Sequence, residues 1–377
     1  MAHSNTIINQ IAAFFPRHEF EQLAKIYHTG QKFRSFNRWS QFLAMMIGQL
    51  SGRKSLRDLV SNIRVQGRRI YHLGMKPTSK STLARVNERQ PYQLYRDMFF
   101  KLSARCKMFS PKHRFEFCGK IYLLDTTTID LCLAVFPWAS FRKAKGAVKL
   151  HFGLDADGYL PAFMNMTDGK KHEVDWAKTL TLHCGACVVF DRGFTDYSWY
   201  QQLTNRKITF VTRLKRNAII YRFGNRRPTD SSTIKSDQKI KLKGQQADFR
   251  LIDFVDPDTG KEYQFLTNSL TLKATEVAAL YKERWQIELF FKWIKQNLKV
   301  KTFFGTSRNA VLTQLWIALC VYLLLSFLKF KAKLGASLSK ILRVLQLNLF
   351  ERRTLMDLLK PPDIRQPIVS PQISMWN

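Results

Sequence analysis

Residues 281–300 read YKERWQIELFFKWIKQNLKV and carry seven charged side chains among large apolar ones. An α-helix advances about 100° per residue, which brings Tyr281, Arg284, Glu288 and Lys295 within roughly 60° of one another. Ile287, Phe290, Phe291 and Ile294 form an apolar stripe beside them. Many amphipathic helices carry such a polar face toward solvent. A carboxylate flanked by two cations and a phenol can do more. The acid can hold a metal ion, the cations can bind phosphate oxygens, and Tyr281 can hydrogen-bond or pack on a sugar.

Two further carboxylates stand where burial would be costly. Asp125 ends the run IYLLD and Asp191 ends CVVFD. An acid at the end of a buried apolar strand needs hydrogen-bond partners or a cation. Either could also cap a turn, and Asp191 before Arg192-Gly193 suits that role. Together with Glu288 they form a set of three hard oxygen ligands suited to Mg²⁺ or Mn²⁺. Two such ions about 4 Å apart activate a nucleophile and stabilise the leaving oxygen of a phosphoryl displacement.

Asp130, Asp155 and Asp157 rank below these three, since Asp157 belongs to a turn and Asp130 falls on the far side of its strand. His151 and His172 lie near the same presumed face. Each could contact DNA or orient a carboxylate, although a histidine in a half-buried strand is more often structural. Trp285 sits beside the polar stripe and is assigned to the core.

The elements that must position these groups follow from the pattern along the chain. Residues 1–112 have helical apolar periodicity throughout. Within them Pro77, then Ser79 or Ser81 as N-cap, opens a short basic helix whose Arg85 and Arg89 could enter a DNA groove. Residues 113–215 turn β-branched, with two strands around Asp157-Gly158 followed by helices alternating with strands, which predicts a mixed α/β sheet. Residues 216–262 read as a small β-rich insertion. Residues 263–309 resume with a strand and the charged helix, 310–360 are apolar helices, and 361–377 form a Pro-rich loose tail. The stretch AVLTQLWIALCVYLLLSFL is long enough to span a membrane, but no second candidate accompanies it, and a helix enclosed inside a large protein looks the same.

Lys plus Arg number 61 against 28 Asp plus Glu, a formal net charge of +33. Basic residues outnumber acidic ones 20 to 5 in residues 1–112 and 10 to 2 in residues 213–247. Such a spread predicts several surfaces touching one long polyanion. The six cysteines are too scattered for a disulfide scaffold, and Cys184-x-x-Cys187 has no second pair at zinc-ligand spacing. With no secretory signature over residues 1–20, a cytoplasmic, nucleoid-associated protein is expected, with no membrane and no small-molecule substrate.

The full Y-x2-R-x3-E-x6-K signature in YKERWQIELFFKWIK, together with LLDTT and VVFDRGF, resembles the DDE transposases of bacterial insertion sequences, the IS-four group. That resemblance implies an RNase H-like catalytic core interrupted by the β-rich insertion, preceded by an all-helical N-terminal domain and followed by C-terminal helices. It implies Asp125, Asp191 and Glu288 as ligands of Mg²⁺ or Mn²⁺, with Tyr281, Arg284 and Lys295 on DNA near the cleaved end. Double-stranded DNA, as terminal inverted repeats and target, is the implied partner of a homodimer. The implied route is cut-and-paste: hydrolysis of one strand at each end, a hairpin, its opening, then strand transfer. Relatives use a Trp of the insertion to hold a flipped base; residues 216–262 contain none, which leaves Tyr221 or Phe223 as stacking faces. The same residues also fit a nuclease that only cuts, or a DNA-binding protein that has lost catalysis.

Overall fold

A computed structural model describes residues 5–30, 36–67, 69–142, 145–225, 232–300 and 302–359. The expected tail over 361–377 lies outside the described residues. The chain opens with helices α1 (Ile7–Ala12), α2 (Arg17–Ile26), α3 (Arg38–Leu50), α4 (Leu56–Val65), α5 (Lys80–Arg89) and α6 (Gln93–Lys107). Ser79 caps α5 by accepting the amide N–H of Thr82 at 3.1 Å.

One mixed sheet follows, built from β1 (Ile121–Leu131), β2 (Ser140–Arg142), β3 (Lys145–Asp155), β4 (Leu160–Asp168), β5 (Cys187–Phe190), β6 (Thr209–Arg213), β7 (Ile220–Asn225), β8 (Ile234–Leu242), β9 (Asp248–Val255) and β10 (Glu262–Thr267). Its order is β2-β3-β1-β5-β6-β10-β9-β8-β7, with β4 also on β3. β3 runs antiparallel to both β1 and β4, while β1, β5 and β6 are mutually parallel. Strands β7 to β9 extend this same sheet at its far edge instead of forming one of their own.

Side chains alternate between the faces, and each face has its own apolar cluster. Leu123, Cys187 and Val189 join the larger cluster, which includes the helices of the N- and C-terminal regions. Tyr122, Leu124, Val188 and Phe190 join the smaller one, under α7 (Glu173–Lys178) and α8 (Tyr197–Asn205). By the same alternation Asp125 and Asp191 face the larger cluster's side.

The charged helix departs from expectation. It begins earlier, as α9 (Ala274–Glu283), and resumes as α10 (Trp285–Asn297) after a joint at Arg284. At that joint the bonds are tight i→i+3 ones, Arg284 N–H to Tyr281 O at 3.1 Å and Ile287 N–H to Arg284 O at 3.2 Å. The apolar segment becomes α11 (Arg308–Lys331), with 94% of its most apolar window buried inside the protein. Its Gln314 fits there because it accepts the N–H of Phe304 at 2.8 Å and donates to Thr302 O at 3.0 Å. Helices α12 (Leu338–Asn348) and α13 (Leu355–Leu359) close the described chain.

A buried ion pair ties the far edge of the sheet to the helix that follows. Arg250 on β9 donates to both carboxylate oxygens of Asp237 on β8, at 2.7 and 2.6 Å, and also to Leu272 O just before α9. Both side chains are under 5% exposed, at 3% and 4%. Arg250→Ala strands a buried carboxylate, so urea unfolding should show a loss of about 3–5 kcal/mol. The double replacement Asp237→Leu/Arg250→Met should recover most of that loss.

Candidate active site

Asp125 lies inside β1, not at its end as the run IYLLD suggested: the strand continues to Leu131, and burial loosens at Asp125 itself. Asp191 follows β5 directly and accepts the Gly193 N–H at 2.8 Å, capping the short turn Arg192–Phe194. Parallel pairing sets Leu124 opposite Phe190, so the two acids emerge one step later on adjacent strands. Glu288 comes from the first turn of α10, which packs over β1.

Arg284 links two of these three. Its Nη1 donates to Asp125 Oδ2 at 3.3 Å and its Nη2 to Glu288 Oε1 at 2.6 Å. The guanidinium is half-buried and lies 5.7 Å from the Tyr281 ring centre. Burial pushes the Asp125 carboxyl up to about 7, reinforced by the charges of Asp191 and Glu288 and opposed by the Thr126 N–H and Arg284. Among the described residues no group of three or more His, Cys, Asp or Glu is set to hold a metal ion. Asp125 and Glu288 share one guanidinium, with Asp191 a strand away.

Of the rival acids, Asp130 is exposed on β1, and Asp155 and Asp157 are tied to lysines. Asp155 is tied to Lys107 at 3.3 Å and Lys120 at 3.2 Å. Burial raises the Asp157 carboxyl, but Lys120, the His113 N–H and Lys112 outweigh it and hold it near 2.

The family described as Transposase DDE domain matches residues 116–324, and a domain of unknown function, DUF4372, matches residues 3–76. A putative transposase of Sinorhizobium fredii, y4zB, is 32% identical over 308 residues, covering 77% of this chain and 83% of its own. A probable transposase for insertion sequence element IS5377 of Geobacillus stearothermophilus is 28% identical, covering 69% of this chain and 70% of its own. The chain belongs to the DDE transposases of insertion sequences. Among solved structures, the piggyBac transposase synaptic complex with hairpin DNA gives a TM-score of 0.44 at 14% identity, over 95% of this chain and 80% of that one.

In this transposase Lys295 and Tyr281 lie beside the acid-bearing elements, whereas Arg85 and Arg89 lie in the helical region. Lys295 donates to Thr127 Oγ1 at 2.5 Å and to Thr128 O at 3.3 Å, two and three residues along β1 from Asp125. Tyr281 is 9% exposed and packs on Phe265 with ring centres 5.0 Å apart. Arg85 and Arg89 are both exposed on α5, away from the carboxylates in the helical region. His172 is exposed at the start of α7.

Two features of the transposase escaped the sequence reading, and His151, which it weighed as half-buried, is wholly enclosed. Trp285 is 56% exposed, not core. It borders a cavity of about 510 Å³ that is also lined by Arg213, Tyr263, Tyr281 and Arg284. Glu173, on α7, brings its carboxylate against Gly193: a Cβ there would overlap Glu173 Oε2 and stand 2.9 Å from Asp191 Oδ1. Burial and the Asp191 charge push the Glu173 carboxyl up against the pull of Lys149. His151 is buried, and burial pushes its pKa down to about 4, which leaves the ring neutral near pH 7.

A carboxyl raised on folding takes up a proton, so Asp125 withdraws stability as pH rises from about 4 to about 7. Asp125→Asn should therefore stabilise the DNA-free transposase at pH 8 by roughly 2 kcal/mol, and by almost nothing at pH 4. Urea unfolding at the two pH values reads this; an equal effect at both would show that the Asp125 carboxyl is not raised.

Proposed function

We propose that this transposase performs cut-and-paste transposition by metal-dependent phosphodiester hydrolysis and strand transfer at the ends of its element. The observation that carries this reading is the emergence of Asp125 and Asp191 side by side on parallel strands, with Glu288 held to Asp125 through Arg284. Strand order supports an RNase H-like core: an antiparallel run β4-β3-β1 continues into parallel β5 and β6. Three carboxylates suit an oxygen-seeking divalent ion, and Arg284, paired with Asp125 and Glu288 but not with Asp191, leaves room for further positive charge. Asp125, Asp191 and Glu288 would hold Mg²⁺ or Mn²⁺, as two ions, which when bound supply charge at the scissile phosphate and acidity to an attacking water.

The chain's own residues do the rest. Arg284 and Lys295 offer donors to phosphate oxygens beside the cut, and Tyr281 backs Arg284 from below. Exposed Arg85 and Arg89 lie one turn apart on α5 and take backbone or groove contacts farther along the duplex. Trp285, on the rim of its cation- and aromatic-lined cavity, is the face for a base unstacked during hairpin formation; Tyr221 and Phe223, exposed on β7, are the alternatives. Two ends must be joined in one event, which calls for a homodimer on DNA.

The test is cleavage of linear DNA carrying the element's ends, with Mg²⁺ or with EDTA. Asp125→Ala, Asp191→Ala and Glu288→Ala should each reduce cutting by about a thousandfold or more while leaving end binding nearly intact. Normal cutting by any one removes that residue from the site. Cuts without joined products would make the protein a nuclease, and tight binding without cuts in either metal a non-catalytic DNA binder. Arg284→Ala and Lys295→Ala should each flatten the salt dependence of end binding by about one phosphate contact. Trp285→Ala should leave the first nick intact and lower the yield of hairpins; equal yields would return that role to Tyr221 or Phe223.

A further inference from the structure

His151 lies on β3 directly across from Thr126 of β1, wholly buried and stacked on Trp176 with ring centres 5.1 Å apart and planes 27° apart. Its Nδ1 is 2.8 Å from Thr126 Oγ1 and its Nε2 is 2.7 Å from Thr167 Oγ1 on β4. A neutral imidazole has one donor and one acceptor nitrogen, and two hydroxyls can satisfy both. The apolar cluster on that face of the sheet includes Leu124, Trp176 and Phe190, with the Lys149 charge nearby. An apolar side chain would fill that space without needing matched partners, so filling alone does not call for a histidine.

The two ends of this tie differ. Thr167 belongs to a strand that carries none of the three carboxylates. Thr126 is bonded to Asp125 itself, since its backbone N–H donates to Asp125 Oδ1 at 2.7 Å. Thr126 and Asp125 point to opposite faces of β1, so His151 grips the strand from behind while the carboxylate faces α10. With its hydroxyl held, the β-branched Thr126 keeps a single rotamer and its peptide a fixed orientation.

We propose that His151 is a positioning residue for strand cleavage: through its Thr126 bond it fixes the peptide that orients the Asp125 carboxylate. The inference rests on the reading of Asp125 as catalytic. His151 touches neither DNA nor the reacting phosphate. It acts through Thr126, and Thr167 sets the ring's tilt.

Two conservative variants separate positioning from packing. The side-chain amide of Asn can occupy the place of Nδ1 and keep the bond to Thr126, whereas that of Gln reaches the place of Nε2 and keeps only Thr167. Single-turnover cleavage at saturating end DNA should fall about tenfold or more in His151→Gln and stay within about threefold of wild type in His151→Asn, because small misplacements of a reacting group are costly in rate. End-DNA Kd should be unchanged in both. Equal rates in the two variants, whether both slow or both normal, overturn the proposal.

Should either variant fold poorly, Thr126→Val and Thr167→Val give the same comparison. Thr126→Val should be the slower, and adding it to His151→Gln should cost nothing further. Equal rates for the two valine variants, or additive losses in the double variant, likewise overturn it. Asp125→Ala is assayed in parallel. If that variant still cuts, the reading of the site has failed; if it is inactive while the pairs match, only the positioning role has.

Discussion

Parallel pairing of β1 with β5 is the constraint on which the rest of the site depends. It sets Leu124 opposite Phe190, so the next residue on each strand is an aspartate on the same face. Parallel neighbours cannot be joined by a tight turn. The chain between them therefore folds as the β3–β4 hairpin on the outer side of β1, then α7, before β5 begins. A slip of one residue in β1 would carry Asp125 to the opposite face, into the cluster of Trp176, Trp199 and Phe190. The two apolar clusters thus fix the register, and the register fixes the acids.

Among the described residues the buried and half-buried carboxylates include two electrostatic kinds. Asp155, Asp157 and Asp237 each face a full complement of lysine or arginine, and their work is to hold elements together. Asp125 instead shares a single guanidinium with Glu288 and lies near Asp191, and its carboxyl is raised toward 7. A chain with a formal charge of +33 has cations in ample supply. Under the proposed reading, the single guanidinium shared by Asp125 and Glu288 leaves room for further positive charge, at some cost in stability.

Much of the candidate site was legible because it depends on local periodicity. Spacings of three, four and seven residues between Tyr281, Arg284, Glu288 and Lys295 match helical turns, and the buried stripe of Ile287, Phe290, Phe291 and Ile294 is observed as expected. What periodicity could not supply was the joint at Arg284, where i→i+3 bonds rotate one helix against the next and leave Trp285 outside. Glu173 reaches Asp191 only because α7 folds back over Gly193, and His151 finds both hydroxyls only across three strands. Those are non-local pairings that composition and spacing do not encode. Hydropathy likewise could not decide the setting of α11; enclosure by neighbouring elements does.

The strands between β6 and β10 also have a mechanical part. They could have stood apart as an appendage, but they continue the sheet, and Arg250 on β9 bonds the loop at Leu272 from which α9 starts. Helix α9 leads through the Arg284 joint into α10 and Glu288. The third acid is therefore placed from two sides, by α10 packing on β1 and by the far edge of the sheet through Arg250.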